Sequence, residues 1–178
     1  MSERGGRDST PFLVLALVVG CATAALHPTE KGRGMSDLEW GASTGGWLLS
    51  ISLDKPKLVV GEKVVVTLVT KNAANRPQKI PTWSRWTTYS FNLRDEQAPI
   101  PATMFGRQME DNRGSGSMGR AELAPGESIV IELPLSRLFD LSLAGRYTVQ
   151  ASRIVEDGAG RQVPLASNFV SFEITEPE

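Results

Sequence analysis

From Trp47 onward, apolar side chains recur at every second residue in short runs, and Gly, Pro and Asn break the runs. Trp47, Leu49, Ile51 and Leu53 alternate with Leu48, Ser50, Ser52 and Asp54. Period two sends successive side chains to opposite faces of an extended chain, so such a run is a half-buried strand and not a helix. The pattern returns in Tyr89, Phe91 and Leu93, in Ile129, Ile131 and Leu133, and in Val170, Phe172 and Ile174. Residues 63–72 are β-branched nearly throughout, as a central strand is. Turn signals separate the runs: Lys55-Pro56, Val59-Val60-Gly61-Glu62, Ala124-Pro125-Gly126-Glu127, and a hairpin loop over residues 156–161. This spacing predicts an all-β fold, an antiparallel β-sandwich of about seven or eight strands over residues 47–176. About 130 residues suffice for one core of that kind. Residues 136–141 read as a helical turn across one end. Residues 106–120, rich in Gly and without periodicity, read as a long mobile loop.

Composition excludes several functions. With 19 basic and 20 acidic residues the net charge is −1, which supplies no field to gather nucleic acid. One cysteine, Cys21, rules out an internal disulfide. One histidine, His27, leaves neither a His-rich metal site nor a Ser–His–Asp triad within the domain. Residues 106–120 contain no G-x-S-x-G nucleophile turn and no phosphate loop ending in Gly-Lys-Ser/Thr. The expected protein is not an enzyme and requires no cofactor and no metal.

The N-terminus reads as an address. Residues 1–10 are polar, with Arg4 and Arg7 offset by Glu3 and Asp8, and residues 11–20 form an apolar run. That run has the length of a signal-peptide core and is short for a membrane span, which takes about 20 apolar residues. It ends in Val18-Val19-Gly20-Cys21, which resembles the bacterial lipobox. The resemblance implies cleavage before Cys21 and acylation of its thiol by diacylglycerol, hence a lipoprotein anchored to a membrane through its N-terminus. Ala22 after the cysteine implies the outer membrane where the organism has one. Two alternatives stand: signal-peptidase cleavage after Ala22-Thr23-Ala24, releasing a secreted protein, or an uncleaved anchor over residues 12–26. Met35 as the true start would remove the export signal altogether. The domain order is therefore a signal peptide over 1–20, a lipidated flexible tether over 21–46, rich in Gly, Ser, Thr and charge, and the sandwich over 47–176. Trp40-Gly41 within the tether is placed to dock on the domain.

Leu141-Ser142-Leu143-Ala144-Gly145-Arg146-Tyr147-Thr148-Val149 resembles the corner and sixth strand of immunoglobulin-like (fibronectin-like) domains. The resemblance implies a tyrosine corner, in which Tyr147, after Gly145, turns its hydroxyl back to an upstream backbone group. Val149 stands where antibody domains carry cysteine, so the likeness is to the fold. The same Gly-x-Tyr-x-Val pattern after a Pro-Gly-Glu turn is loosely similar to bacterial proteinase-inhibitor sandwiches.

Three features carry possible binding chemistry. Trp83, Arg85 and Trp86 sit together before the Tyr89 strand. Two indoles flanking a guanidinium suit a glycan or peptide, and equally Trp83 and Trp86 can cap the open end of the core with Arg85 in water. Asp95-Glu96, Glu110-Asp111 and Asp157 offer loop carboxylates of the kind that bind calcium, without the EF-hand spacing. Arg107, Arg113 and Arg120 in the 106–120 stretch suit an acidic partner. The expected function is a non-enzymatic binding or assembly module held at the cell envelope, contacting a protein or glycan there. The alternative is an inhibitor or accessory domain that meets a protease or glycan through its loops.

Overall fold

The computed structural model describes residues 37–113 and 118–177. The expected lipobox at Cys21 and the expected signal peptide over 1–20 lie outside the described residues.

Nine strands occur among them: β1 (Trp47–Leu53), β2 (Lys57–Val59), β3 (Val65–Asn72), β4 (Gln78–Thr82), β5 (Ser90–Arg94), β6 (Gly119–Leu123), β7 (Ser128–Pro134), β8 (Gly145–Glu156) and β9 (Gln162–Thr175). One helix, α1 (Met104–Asp111), precedes β6, and a single 3-10 turn (Leu135–Arg137) follows β7. The strands form a three-stranded sheet in the order β1-β3-β7, a four-stranded sheet in the order β2-β9-β8-β5, and a ribbon of β4 and β6. All pairings are antiparallel except that of β2 with β9. The two larger sheets share one buried cluster, with Trp47, Leu49, Ile51, Val66, Leu68 and Leu133 from the first and Leu93, Tyr147, Val149, Phe172 and Ile174 from the second. The period-two residues of β1 and β9 are those that enter this core.

Several expectations are corrected. The 106–120 stretch is not one mobile loop: residues 104–111 are helical, and Gly119–Leu123 is a strand. The Thr103 side chain accepts the Gly106 N–H at 3.0 Å, an N-cap at an otherwise weak helix start. β4 and β6 were not among the expected strands, because neither is an apolar period-two run: β4 places the polar Gln78 on its buried parity with Ile80, and Pro81 is buried beside it. β2 runs parallel to β9, against a wholly antiparallel expectation. The end of the expected tether also differs. The Gly41 N–H donates to the Leu49 carbonyl at 2.9 Å, and Thr44 and Trp47 exchange both backbone bonds. Any Cβ on Gly41 would lie 2.0 Å from the Ala166 carbonyl oxygen, so only glycine lets residue 41 run this close to β9. The Lys71 ammonium stands 5.9 Å from the Trp40 ring.

Candidate functional site

Residues 83–88 form a compact turn. The Thr87 and Thr88 N–H groups both donate to the Ser84 carbonyl at 3.0 Å, and the hydroxyls of Ser84 and Thr87 lie 3.0 Å apart. This turn separates the two tryptophans. Trp83 is half-buried beside a pocket of about 220 Å³ that it shares with Thr87, Thr88, Arg113, Ile154 and Pro164. Trp86 faces elsewhere, onto α1, where its ring meets Phe105 edge to face with centroids 5.2 Å apart. Trp83 and Trp86 therefore do not flank Arg85 as a pair.

Trp86 instead carries two guanidinium groups. Arg85 Cζ lies 5.2 Å from the indole centroid and Arg137 Cζ lies 5.1 Å from it; Arg137 is also 4.3 Å from the Phe105 ring. Both arginines are exposed, and neither makes an ion pair among the described residues. The ring quadrupoles attract the cations at a worth of about 0.5–1 kcal/mol each when exposed. Neither fork makes a side-chain hydrogen bond among the described residues, so their N–H donors are available to a carboxylate or phosphate.

Three segments distant in sequence build this cluster, and one residue joins two of them. The Thr103 hydroxyl donates to the Arg137 carbonyl at 2.7 Å, and the Thr103 N–H donates to the Leu138 carbonyl at 2.9 Å. Gly106 makes the junction possible, since a Cβ there would lie 2.0 Å from the Leu138 carbonyl oxygen. Phe105 and Arg137 were not among the residues singled out from the sequence. No local pattern marks them, because nothing in either segment specifies that α1 packs on the 3-10 turn.

A second arginine–aromatic site lies inside the fold. Arg153 is 3% exposed. Its Nη1 donates to Thr70 Oγ1 at 3.3 Å and Tyr89 Oη at 3.2 Å, and its Nη2 donates to the Pro81 carbonyl at 2.6 Å. Its Cζ stands 5.1 Å from the Tyr89 ring, while Nε is buried without a hydrogen-bond partner. Thr70 and Tyr89 are themselves bonded at 3.0 Å. Burial pulls the guanidinium below its ordinary range, and Tyr89 partly opposes that. One sequence signal was available for this residue. Tyr147, Val149, Ala151 and Val155 share its parity along β8, and all are buried.

Tyr147 and Gly145 open β8. The Tyr147 hydroxyl donates to the Leu143 carbonyl at 2.6 Å, and its ring stacks on Phe172 with centroids 5.3 Å apart. Burial raises the phenol above its ordinary value, helped by the negative charges of Asp95 and Asp140. Gly145 has ordinary van der Waals room for a Cβ, 3.8 Å from the Tyr147 ring.

The loop carboxylates are turned onto their own backbone. Asp95 accepts the Gln97 and Ala98 N–H groups, each at 2.7 Å. Asp157 accepts those of Ala159 and Arg161, each at 2.9 Å, and pairs with the Arg161 side chain. These bonds hold both carboxyls below the usual carboxylate range. Among the three loop arginines, Arg113 pairs with Glu110 and Arg120 pairs with Glu156, while Arg107 lies on α1.

No family model matches the chain, and no curated protein matches it. Solved structures that resemble it include a β-glucosidase from Erythrobacter marinus, at 12% identity and a TM-score of 0.38 over 72% of this chain. Another is the alkylpurine DNA glycosylase AlkC of Pseudomonas fluorescens bound to DNA, at 16% identity and a TM-score of 0.34 over 71% of this chain. The matched regions span 15% and 30% of those two proteins.

Proposed function

We propose that this protein is an exported, non-enzymatic binding module, anchored to a membrane through a lipid on Cys21, whose domain is an immunoglobulin-like sandwich. Two observations support the immunoglobulin-like reading. The three- and four-stranded sheets share one core, and Tyr147 near the start of the penultimate strand bonds back to Leu143. The departures are the separate β4–β6 ribbon and the parallel β2. The address rests on the apolar run ending in Val18-Val19-Gly20-Cys21.

One observation carries the binding role: two exposed guanidinium groups stacked on Trp86, with no carboxylate partner among the described residues. Like charges held together on a fixed aromatic platform favour an incoming anion, so the ligand is a protein or glycan bearing carboxylate or phosphate groups. The catalytic alternative has little in its favour, since the sole histidine is His27.

Two measurements test this reading. Mass spectrometry of the mature chain is expected to find an N-terminal Cys21 carrying diacylglycerol; an N-terminus at Ala25 or an unmodified Met1 overturns the anchor. Binding to a panel of acidic glycans and acidic peptides is expected to fall at least about tenfold in an R85A/R137A variant. Binding that survives that change, or turnover of a substrate by the wild-type chain, overturns the binding role.

A further inference from the structure

The sheets close their edges with specific groups, and β7 stands apart from that rule. In β1 the outward backbone groups belong to Trp47, Leu49 and Ile51. Trp47 is paired to Thr44, the Leu49 carbonyl accepts from Gly41, and the Asn168 side chain spans both groups of Ile51 at 2.9 and 3.0 Å. In β5 the Leu93 carbonyl accepts from Ile100 at 3.0 Å. In β2 the Glu62 carboxylate accepts the Val59 N–H at 2.8 Å.

β7 pairs with β3 on one side, and among the described residues nothing pairs with the other. The direction of its backbone groups follows from register. Asn72 donates to Glu127 and Leu135 donates to Val64, so residues 127, 129, 131, 133 and 135 turn their groups to β3. Ser128, Val130 and Glu132 therefore turn theirs outward. Edge protection is confined to one end of the strand: Glu132 is its one charge and Pro134 closes it, while Ser128-Ile129-Val130-Ile131 carries neither charge nor Pro and Val130 is 57% exposed. Immunoglobulin sandwiches of constant type place a fourth strand beside this one. Here the strand at that point in the chain, β6, pairs with β4 instead.

We propose that β7 pairs antiparallel with β7 of a second copy, about a two-fold axis through Val130. In that register Val130 meets its own mate, Ser128 meets Glu132, and about six backbone hydrogen bonds form. The side chains are self-complementary. Val69 and Val130 are opposite one another within a copy, so the central row becomes four valines across the two copies. The flanking rows run Lys71, Ser128, Glu132 of the second copy, Thr67 of the second copy. The small Ser128 leaves room for Lys71, its ammonium turning from the Trp40 ring, to meet the opposing Glu132 above it, once at each end. Ser128 Oγ, buried and without a hydrogen-bond partner within one copy, lies in that row. Within a single chain Lys71 and Glu132 are not cross-strand partners, since their register mates are Ser128 and Thr67.

Sedimentation velocity of the purified chain, up to about 1 mM, is expected to show a dimer fraction that rises with concentration. V130P removes an outward N–H, which an edge strand tolerates, and is expected to weaken association at least about tenfold. E132K is expected to do the same by charge reversal, and K71E/E132K to restore association to within about threefold of wild type. Hydrogen exchange should show the Val130 and Glu132 amides slowing with concentration while the Ile131 amide is already slow. A monomer throughout the range overturns the proposal, as does association that neither V130P nor E132K weakens. Failure of the charge swap to restore association overturns the two-fold register. Protection of the Val130 amide only on adding a different protein strand overturns the second copy as partner. The outcomes are independent of ligand binding at Trp86.

Discussion

Two sites in this molecule set guanidinium groups over aromatic rings, at nearly the same distance. Arg153 stands 5.1 Å from Tyr89 and Arg137 stands 5.1 Å from Trp86. The inner site is sealed: Arg153 joins β8 to β3 through Thr70 and to β4 through the Pro81 carbonyl. Its Nη1 and Nη2 donate to neutral oxygens of the fold, Nε has no partner, and no carboxylate balances it among the described residues. The outer site is open, with both arginines exposed and, among the described residues, in contact with rings alone. A cation removed from water must find its hydrogen bonds inside the protein, and it then becomes part of the architecture. A cation left at the surface keeps its water and exchanges it for a ligand's anion at small cost. The same pair of residue types therefore serves as a structural tie in one place and, in the function proposed above, as a binding surface in the other.

The contrast is broken most directly at Arg153. R153A leaves a cavity and takes the buried donor from the Pro81 carbonyl, while Thr70 and Tyr89 keep their bond to each other, with an expected loss of about 3 kcal/mol in urea unfolding. R153M refills the volume without a buried charge and should lose clearly less. Equal losses in the two variants would show that the hydrogen bonds, not the packing, dominate. G106A attacks the junction under the outer site, since its Cβ meets the Leu138 carbonyl. The expected cost is about 2 kcal/mol, with a change in Trp86 fluorescence as Phe105 is displaced. Y147F deletes the bond to Leu143 and is expected to cost about 1 kcal/mol. R85A and R137A, by contrast, should each change stability by less than about 0.5 kcal/mol while weakening ligand binding; a larger stability loss would make the outer cluster structural too. The smallest effect is with pH. Asp95 and Asp157 have carboxyls lowered in the folded state, mainly by backbone N–H bonds. The stability they contribute is present above the unfolded carboxylate range and is lost as pH falls through their folded values. The decline should therefore begin below about pH 4, and D157N should flatten it.

These two sites also differ in how far they could be read ahead. The inward parity of Tyr147, Val149, Ala151 and Val155 carries Arg153 with it, so its burial was legible from alternation, although its partners were not. Trp86 and Arg85 were legible as a cluster because they adjoin in sequence. Phe105 and Arg137 were not, because they arrive from α1 and the 3-10 turn. The 104–111 helix was hidden because its apolar face is short, only Phe105 and Met109 around Gly106, in an otherwise polar segment. Its cap, Thr103, and its packing against the Leu138 carbonyl stabilise it instead.

By itself the sequence determined the alternating strands β1, β3, β5, β7 and the end of β9, though not β2, and the turns at Gly61 and Gly126; a resemblance to immunoglobulin-like corners implied the backward bond of Tyr147. Each depends on residues within a few positions of one another, so alternation and turn chemistry suffice. Only the tertiary structure decided that β6 leaves the sheet to pair with β4, that β7 is thereby open among the described residues, and that Arg137 joins Arg85 on Trp86. Those outcomes depend on which distant segments compete for the same edge or ring. That competition is settled by packing and hydrogen bonding across the whole domain, and no local pattern encodes it.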